Sequence, residues 1–181
     1  MSIKKLPSIS SLLLAIIFIT GCNQPATKVF ENTDAMVEFA KANVTEIPLV
    51  DFKKMYEDYE TFVLIDVRSK VEYDKSFIPG ALNIERGLLE FRIAKDKFWE
   101  DEMLYMPLKD ELIILCCKKG HRGALAAQSL KNLGYTNVKN LEGGVENWKQ
   151  NYPDLIEMNE VATGGAVIEA AGGGGSDDGG C

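Results

Sequence analysis

Short apolar runs alternate with stretches of helical periodicity along the middle of the chain, and this alternation limits the folds that it can adopt. Residues 62–67 (FVLIDV) and 112–116 (LIILC) are β-rich and short enough to be buried strands. Residues 123–133 follow the second run and repeat apolar side chains at helical spacing. Continuous apolar strands that alternate with helices are typical of a parallel sheet covered by helices on both faces. The sequence therefore predicts an α/β fold.

Composition divides the chain into four parts. Residues 1–21 have a basic start and an apolar run too short to span a membrane, as expected of a signal peptide. Residues 22–43 are predicted to be a tether with a short helix at 33–42, and residues 44–155 to be the folded domain. Further strands are expected at 45–47, 81–84 and 138–141, and helices from Pro48, over 88–99 and over 146–150. Residues 156–181 are rich in glycine and lack basic residues, which predicts a disordered acidic tail.

Charge and the supply of metal-ligating side chains exclude several functions. The chain has 20 basic and 27 acidic residues and a net charge of −7, which argues against nucleic acid as a partner. Four cysteines without a repeated spacing indicate neither a disulfide framework nor a zinc module. A single histidine excludes a site built from several histidine ligands. We therefore expect no metal and no cofactor.

Residues 117–122 (CKKGHR), which we call the cysteine loop, connect the most apolar predicted strand to the following helix. The loop contains no proline, so each of its backbone N–H groups is available, and Gly120 permits a backbone conformation that other residues resist. Lys118, Lys119 and Arg122 add positive charge. These donors and cations favour the thiolate form of Cys117 and form a cradle for an oxyanion or a persulfide.

Four motifs in order resemble the rhodanese family of single-domain sulfurtransferases over roughly residues 44–153. The motifs are Leu64-Ile65-Asp66-Val67-Arg68 with Glu72-Tyr73, the segment 78–84, the cysteine loop, and Gly134-Tyr135 with 141–144 and Trp148. The chain departs from the family pattern at Ser76-Phe77, where Gly-His is common, and at Gly123, where Ser is common.

The resemblance implies a five-stranded parallel sheet with helices on both faces and a sulfur-transfer reaction at Cys117. Cys117 would take a sulfane sulfur from a small anionic donor such as thiosulfate and pass it, as a persulfide, to cyanide or a thiol. The other loop residues would bind the anionic donor: Lys118, Lys119, Gly120, His121 and Arg122. We expect the protein to be a monomer.

Three further assignments concern residues beside this loop. Cys116 ends the strand and its side chain is expected to point to the opposite face from Cys117, as a buried apolar side chain. Asp66, Arg68 and Glu72 are interpreted as a structural ion-pair network near the site. Cys181 ends the predicted tail, and we assign it no role.

The segment Ile19-Thr20-Gly21-Cys22 resembles a bacterial lipobox. This resemblance implies cleavage before Cys22 and attachment of lipid to its thiol, which would anchor the protein to a membrane. We therefore expect a lipid-anchored protein on the periplasmic side of a bacterial cell envelope. The outer membrane is favoured because Asn23, rather than Asp, follows the cysteine.

Two alternative functions remain open. Phosphatases and arsenate reductases of this fold use a loop one residue longer than Cys117-x4-Arg122, so loop length argues against them. A non-catalytic module for binding or redox is the second alternative, because oxidising conditions can hold a reactive cysteine in an oxidised form.

Overall fold

The computed structural model describes residues 28–158. The chain divides into two units, and the helices and strands found between residues 28 and 158 lie in the second unit, which begins at Glu31. The predicted signal peptide, Cys22, Cys181 and most of the predicted tail lie outside the described residues. No helix between residues 28 and 158 is long and apolar enough to span a bilayer.

Five parallel strands form one sheet in the order β1-β5-β4-β2-β3. The strands are β1 (Thr45–Ile47), β2 (Val63–Asp66), β3 (Leu82–Asn83), β4 (Ile113–Cys116) and β5 (Val138–Leu141). The most apolar of the predicted strands, β4, lies at the centre, where both faces are covered, and all four of its residues are buried. The predicted α/β fold with a five-stranded parallel sheet is confirmed.

Seven α-helices accompany the sheet in the described part of the chain. They are α1 (Thr33–Asn43), α2 (Leu49–Glu57), α3 (Lys70–Lys75), α4 (Leu89–Arg92), α5 (Asp96–Asp101), α6 (His121–Asn132) and α7 (Gly144–Asn151). Short 3-10 turns occupy Arg86–Leu88 and Pro153–Leu155.

Each face of the sheet packs against its own apolar core. One core joins Ile65, Ile113 and Leu115 to side chains of α4, α5 and α6. The other joins Leu64 and Ile114 to side chains of α2 and α7, including Phe52 and Trp148. Alternate residues of β2 and β4 thus supply opposite cores, as the two-residue period of a strand requires.

The single helix predicted over 88–99 is wrong, because the chain breaks there into α4 and α5. Ile93 and Trp99 are both buried in the same core. Residues six apart lie about 120° from each other around one α-helix, so one helix does not bury both well. The break at Lys95, which is extended, brings Trp99 back so that its indole N–H donates to the Ile93 carbonyl at 3.0 Å.

Ordered structure extends beyond both predicted ends of the folded domain. The helix α1 lies in the segment predicted as a tether, and it packs on α6 with Val37 and Ala40 buried. At the other end, Glu157 exchanges two backbone hydrogen bonds with Phe77, each 2.9 Å long. These contacts place the first residues of the predicted tail against the fold. The four-part division of the chain otherwise stays a prediction.

Candidate active site

The cysteine loop begins where the central strand β4 ends and finishes in the first turn of α6. The side chains of Cys116 and Cys117 belong to the two different cores, on opposite faces of the sheet. Burial, and then the neighbouring Asp66 carboxylate, raise the pKa of the Cys116 thiol well above its usual value. Cys116 is therefore held as a neutral thiol, and Cys117 is the better candidate for a nucleophile.

Two carbonyl groups at the beginning of the cysteine loop are held by α7. The backbone N–H groups of Val145 and Glu146, at the start of α7, donate to the carbonyls of Cys117 and Lys118 at 2.8 and 3.0 Å. The first N–H groups of a helix have no partner inside the helix, so they are free to make these bonds. Within the loop, the Gly120 N–H donates to Cys117 Sγ at 3.2 Å.

Glycine is required where α7 meets the loop. Gly144 has a φ of +62°, and a Cβ on it would lie 2.1 Å from the Cys117 carbonyl oxygen. Gly120 has a φ of +91°, in the left-handed region that glycine adopts readily. Gly144, in the last of the four family motifs, thus lets the start of α7 approach the backbone of the cysteine loop.

The last residue of the cysteine loop is fixed by an ion pair. The two terminal nitrogens of Arg122 each donate to one carboxylate oxygen of Glu72, both at 2.7 Å. The hydrogen bonds from Arg122 lower the pKa of Glu72 to about 2. The terminal nitrogens of Arg122 are thus hydrogen-bonded to a residue of α3. Its predicted role as a ligand of the donor anion stays a prediction.

Asp66 and Arg68 form a buried ion pair at the end of the neighbouring strand. Arg68 donates to both carboxylate oxygens of Asp66, at 2.6–3.0 Å, and to the Ser76 carbonyl at 2.7 Å. The neighbouring Phe77 stacks on Tyr73 with ring centroids 4.5 Å apart. The segment 76–77, which departs from the family pattern, is therefore held by packing and by a backbone carbonyl.

The remaining predicted residues of the loop lie at its rim. Lys118 and His121 are partly buried, and Lys119 is exposed. Cys117 itself has no exposed surface. Grooves of about 580 and 520 Å³ lie elsewhere on the fold and include no residue of the cysteine loop. In this conformation the Cys117 side chain is closed off from solvent.

No group of three His, Cys, Asp or Glu side chains within residues 28–158 is arranged to hold a metal ion. The chemistry that these residues offer is that of a cysteine with hydrogen-bond donors around its sulfur.

One residue at the site was missed by the sequence analysis. Asn140 is fully buried in β5, and its side-chain Nδ2 donates to the Gly120 carbonyl at 2.9 Å. The available signal was a short polar side chain in a strand whose ends, Val138 and Leu141, are apolar. Asparagine is depleted in strands, so its presence in one is informative.

Comparison with known proteins identifies the family of this chain. The family model for the rhodanese-like domain matches residues 49–151. The chain therefore belongs to the rhodanese-like family, as the resemblance of its motifs implied.

Three known proteins illustrate the range of similar chains. Human thiosulfate:glutathione sulfurtransferase is 37% identical over 89 residues, which are 47% of this chain and 76% of that protein. The structure of a human single-domain sulfurtransferase matches with a TM-score of 0.55 and 28% identity, over 59% of this chain and 96% of that one. The structure of a Rhodopseudomonas palustris protein of unknown function, described as a possible tyrosine phosphatase, matches with a TM-score of 0.56 and 27% identity. The match covers 69% of this chain and 94% of that one.

The match covers only part of several other relatives. The chain spans 52% of a putative sulfur carrier protein of Bacillus subtilis. It spans 20% and 24% of adenylyltransferase and sulfurtransferase proteins of Meyerozyma guilliermondii and Candida albicans. Membership of the family and these sulfurtransferase relatives support sulfur transfer as the general class of reaction.

Proposed function

We propose that this protein is a sulfurtransferase of the thiosulfate type, with Cys117 as the sulfur carrier. The observation that carries the proposal is the orientation of the cysteine loop. Its carbonyls at Cys117, Lys118 and Gly120 accept hydrogen bonds from other parts of the fold, and the Gly120 N–H donates to the sulfur. Such an arrangement stabilises negative charge on the Cys117 sulfur, or on a second sulfur attached to it.

The reaction has two displacement steps. The Cys117 thiolate attacks the outer, sulfane sulfur of thiosulfate, a new S–S bond forms, and the old S–S bond breaks. Sulfite leaves with the electron pair of that bond, and Cys117 becomes a persulfide. Cyanide or a thiolate then attacks the outer sulfur of the persulfide, which releases thiocyanate or a new persulfide and returns the Cys117 thiolate.

Charge at the rim is suited to an anionic donor. Lys118, Lys119 and His121 lie at the rim of the loop, in a protein that is acidic overall. Cationic side chains attract a dianion such as thiosulfate and stabilise the sulfite that leaves. Because Cys117 is enclosed, we expect a rearrangement of these rim side chains to open the route to the sulfur.

The test is the formation of thiocyanate from thiosulfate and cyanide by the purified protein. We expect activity in the native chain, none with Cys117→Ser, and activity with Cys116→Ser, because Cys116 faces the opposite core. Activity that survives in Cys117→Ser contradicts the proposal.

One observation favours a second candidate function. Cys117 has no exposed surface, which also suits a non-catalytic domain that only binds a partner. A binding domain needs no access to the sulfur, so Cys117 would fail to react with thiosulfate or with a small alkylating reagent under reducing conditions. Rapid and selective reaction at Cys117 excludes this candidate.

Phosphatase activity is a weaker candidate function. It is considered because the similar Rhodopseudomonas palustris protein is described as a possible tyrosine phosphatase. The short loop, with four residues between Cys117 and Arg122, argues against it. Arg122 is also engaged by Glu72. Hydrolysis of an aryl phosphate by the native chain, lost with Cys117→Ser, would revive it.

We further propose that lipid on Cys22 anchors the protein to the periplasmic side of the cell envelope. The motif Ile19-Thr20-Gly21-Cys22 supports this proposal. We expect the native chain to enter the membrane fraction and the Cys22→Ser variant to be soluble. A native chain with an unmodified Cys22 contradicts it.

A further inference from the structure

Asn140 makes two hydrogen bonds that fix the orientation of its side chain. Nδ2 donates to Glu46 Oε1 at 2.6 Å and to the Gly120 carbonyl oxygen at 2.9 Å. Both partners are acceptors, so the nitrogen must face them and Oδ1 must face the other way. The side chain of Asn140 therefore connects β1, β5 and the cysteine loop in one defined geometry.

The oxygen of Asn140 is left in an unfavourable position. Oδ1 is buried and has no hydrogen-bond partner among the described residues. It faces Gly123 so closely that a Cβ on this glycine would lie 2.1 Å from it. A buried acceptor without a partner costs free energy, and an apolar residue would avoid that cost. What an apolar residue would lose is the pair of bonds that Nδ2 donates, and one of these holds the cysteine loop.

The contact with Gly120 leads directly to the sulfur. The Gly120 carbonyl accepts from Asn140 and also from the Ala124 N–H, at 3.0 Å, which is the first bond of α6. The N–H of the same residue donates to Cys117 Sγ. A glycine with φ near +90° has other conformations within easy reach. Holding its carbonyl from two directions restricts those conformations and keeps its N–H aimed at the sulfur.

We infer that Asn140 is a positioning residue for the nucleophile: by holding the Gly120 carbonyl it directs the Gly120 N–H to Cys117 and stabilises the thiolate. Gly123 belongs to the same arrangement, because only glycine leaves room for the Asn140 oxygen. This accounts for glycine at the position where the family commonly has serine. The inference rests on the proposed function in taking Cys117 as the nucleophile.

Two substitutions and their combination test this inference in the full chain, purified in detergent. Asn140→Ala removes the donor, and Gly123→Ala displaces it, because the new Cβ collides with Oδ1. With Asn140 also truncated, the nearest remaining atom to that Cβ is the Leu115 carbonyl oxygen at 3.6 Å, an ordinary contact. Gly123→Ala should therefore disturb the cysteine loop when Asn140 is present. It should have no further effect on the loop when residue 140 is alanine.

The readout is the thiolate fraction of Cys117 against pH. It is measured as the difference in ultraviolet absorbance between each protein and the same protein carrying Cys117→Ser, so it does not depend on access to the sulfur. We expect Asn140→Ala and Gly123→Ala each to raise the midpoint by about half to one pH unit. The double variant should match Asn140→Ala. Sulfur loading at a pH below the midpoint should fall about three- to tenfold in each.

Val138→Ala is the matched control, because Val138 is buried in the same strand, at the end away from the loop. It should lower Tm and leave the midpoint unchanged. If the Asn140 and Gly123 variants behave like this control, with a lower Tm and an unchanged midpoint, the inference is overturned. If the midpoint shifts but the native chain loads no sulfur, the positioning role stands and the proposed function fails.

Discussion

The two ends of the cysteine loop are held by different kinds of contact. The beginning, at Cys117 and Lys118, is held by backbone N–H groups of α7, which approach because Gly144 has no side chain. The end, at Arg122, is held by a pair of charged side chains that remain partly exposed to solvent. Backbone contacts between packed elements do not depend on protonation, whereas an ion pair depends on both pH and salt. The beginning of the loop should therefore respond to substitutions that change side-chain volume. The end of the loop should respond to changes of charge, pH and salt.

The largest effect should follow from crowding the beginning of the loop. Gly144→Ala places a Cβ 2.1 Å from the Cys117 carbonyl oxygen at a φ of +62°. We expect the free energy of unfolding to fall by about 2–4 kcal/mol and sulfur transfer to be lost. Denaturant unfolding and thiocyanate formation measure the two effects.

Gly134→Ala is the control that separates crowding from backbone strain. Gly134 also has a positive φ, +86°, but a Cβ there would meet nothing within 4 Å. It should cost only about 1 kcal/mol and leave activity unchanged. Equal losses in the two variants would mean that strain, and not the approach of α7 to the loop, makes Gly144 necessary.

A smaller effect is expected from breaking the end of the loop. Glu72→Gln removes the charge that Arg122 faces, so we expect the free energy of unfolding to fall by about 1 kcal/mol. The released guanidinium should then bind the donor, and KM for thiosulfate should fall. Asp101→Asn, which breaks an exposed pair with Lys97, is the control and should change neither quantity. An unchanged KM in Glu72→Gln would show that Arg122 does not reach the donor even when it is free.

Acid should remove the contribution of the Glu72–Arg122 ion pair to the stability of the native chain. The pKa of Glu72 is about 2 in the folded protein, against an ordinary 4.5. Because the pKa is depressed, the pair stabilises the fold above about pH 4.5 and this contribution is lost as the pH falls towards 2. The difference in stability between the native chain and Glu72→Gln should therefore shrink over this range. A difference that stays constant down to pH 2 contradicts the assigned pairing.

The smallest effect should come from the rim, which belongs to neither end. Lys119 is exposed, so Lys119→Ala should change the free energy of unfolding by less than about 0.5 kcal/mol. Loss of one screened charge should raise KM for thiosulfate about two- to threefold at low salt, with kcat unchanged. The change in KM should disappear at high salt, and a change in kcat instead would place Lys119 closer to the reacting atoms.

The sheet was predictable from the sequence, and a candidate nucleophile could be located in it, because both depend on local features. Buried parallel strands appear as continuous apolar runs, and the spacing from Cys117 to Arg122 identifies a loop of known type. The opposite directions of Cys116 and Cys117 follow from strand geometry alone.

The contacts that hold the loop were not predictable in the same way, because they join distant parts of the chain. Arg122 meets Glu72 across 50 residues, and Asn140 meets Glu46 across 94. Arg122 carries the charge of an anion ligand, and only the folded structure shows that a carboxylate occupies its terminal nitrogens. The helix predicted over 88–99 failed for a related reason, since burial of both Ile93 and Trp99 overrode a local helical pattern.

The central claim, that Cys117 carries sulfur, is tested most directly by the intact mass of the protein after exposure to thiosulfate. The account predicts the gain of one sulfur atom, located on Cys117 by fragmentation, removed by cyanide, and absent in Cys117→Ser. It also predicts that Cys116→Ser still gains the sulfur. A native chain that gains no sulfur even from a reactive persulfide donor, or a Cys117→Ser variant that gains it, would contradict the account.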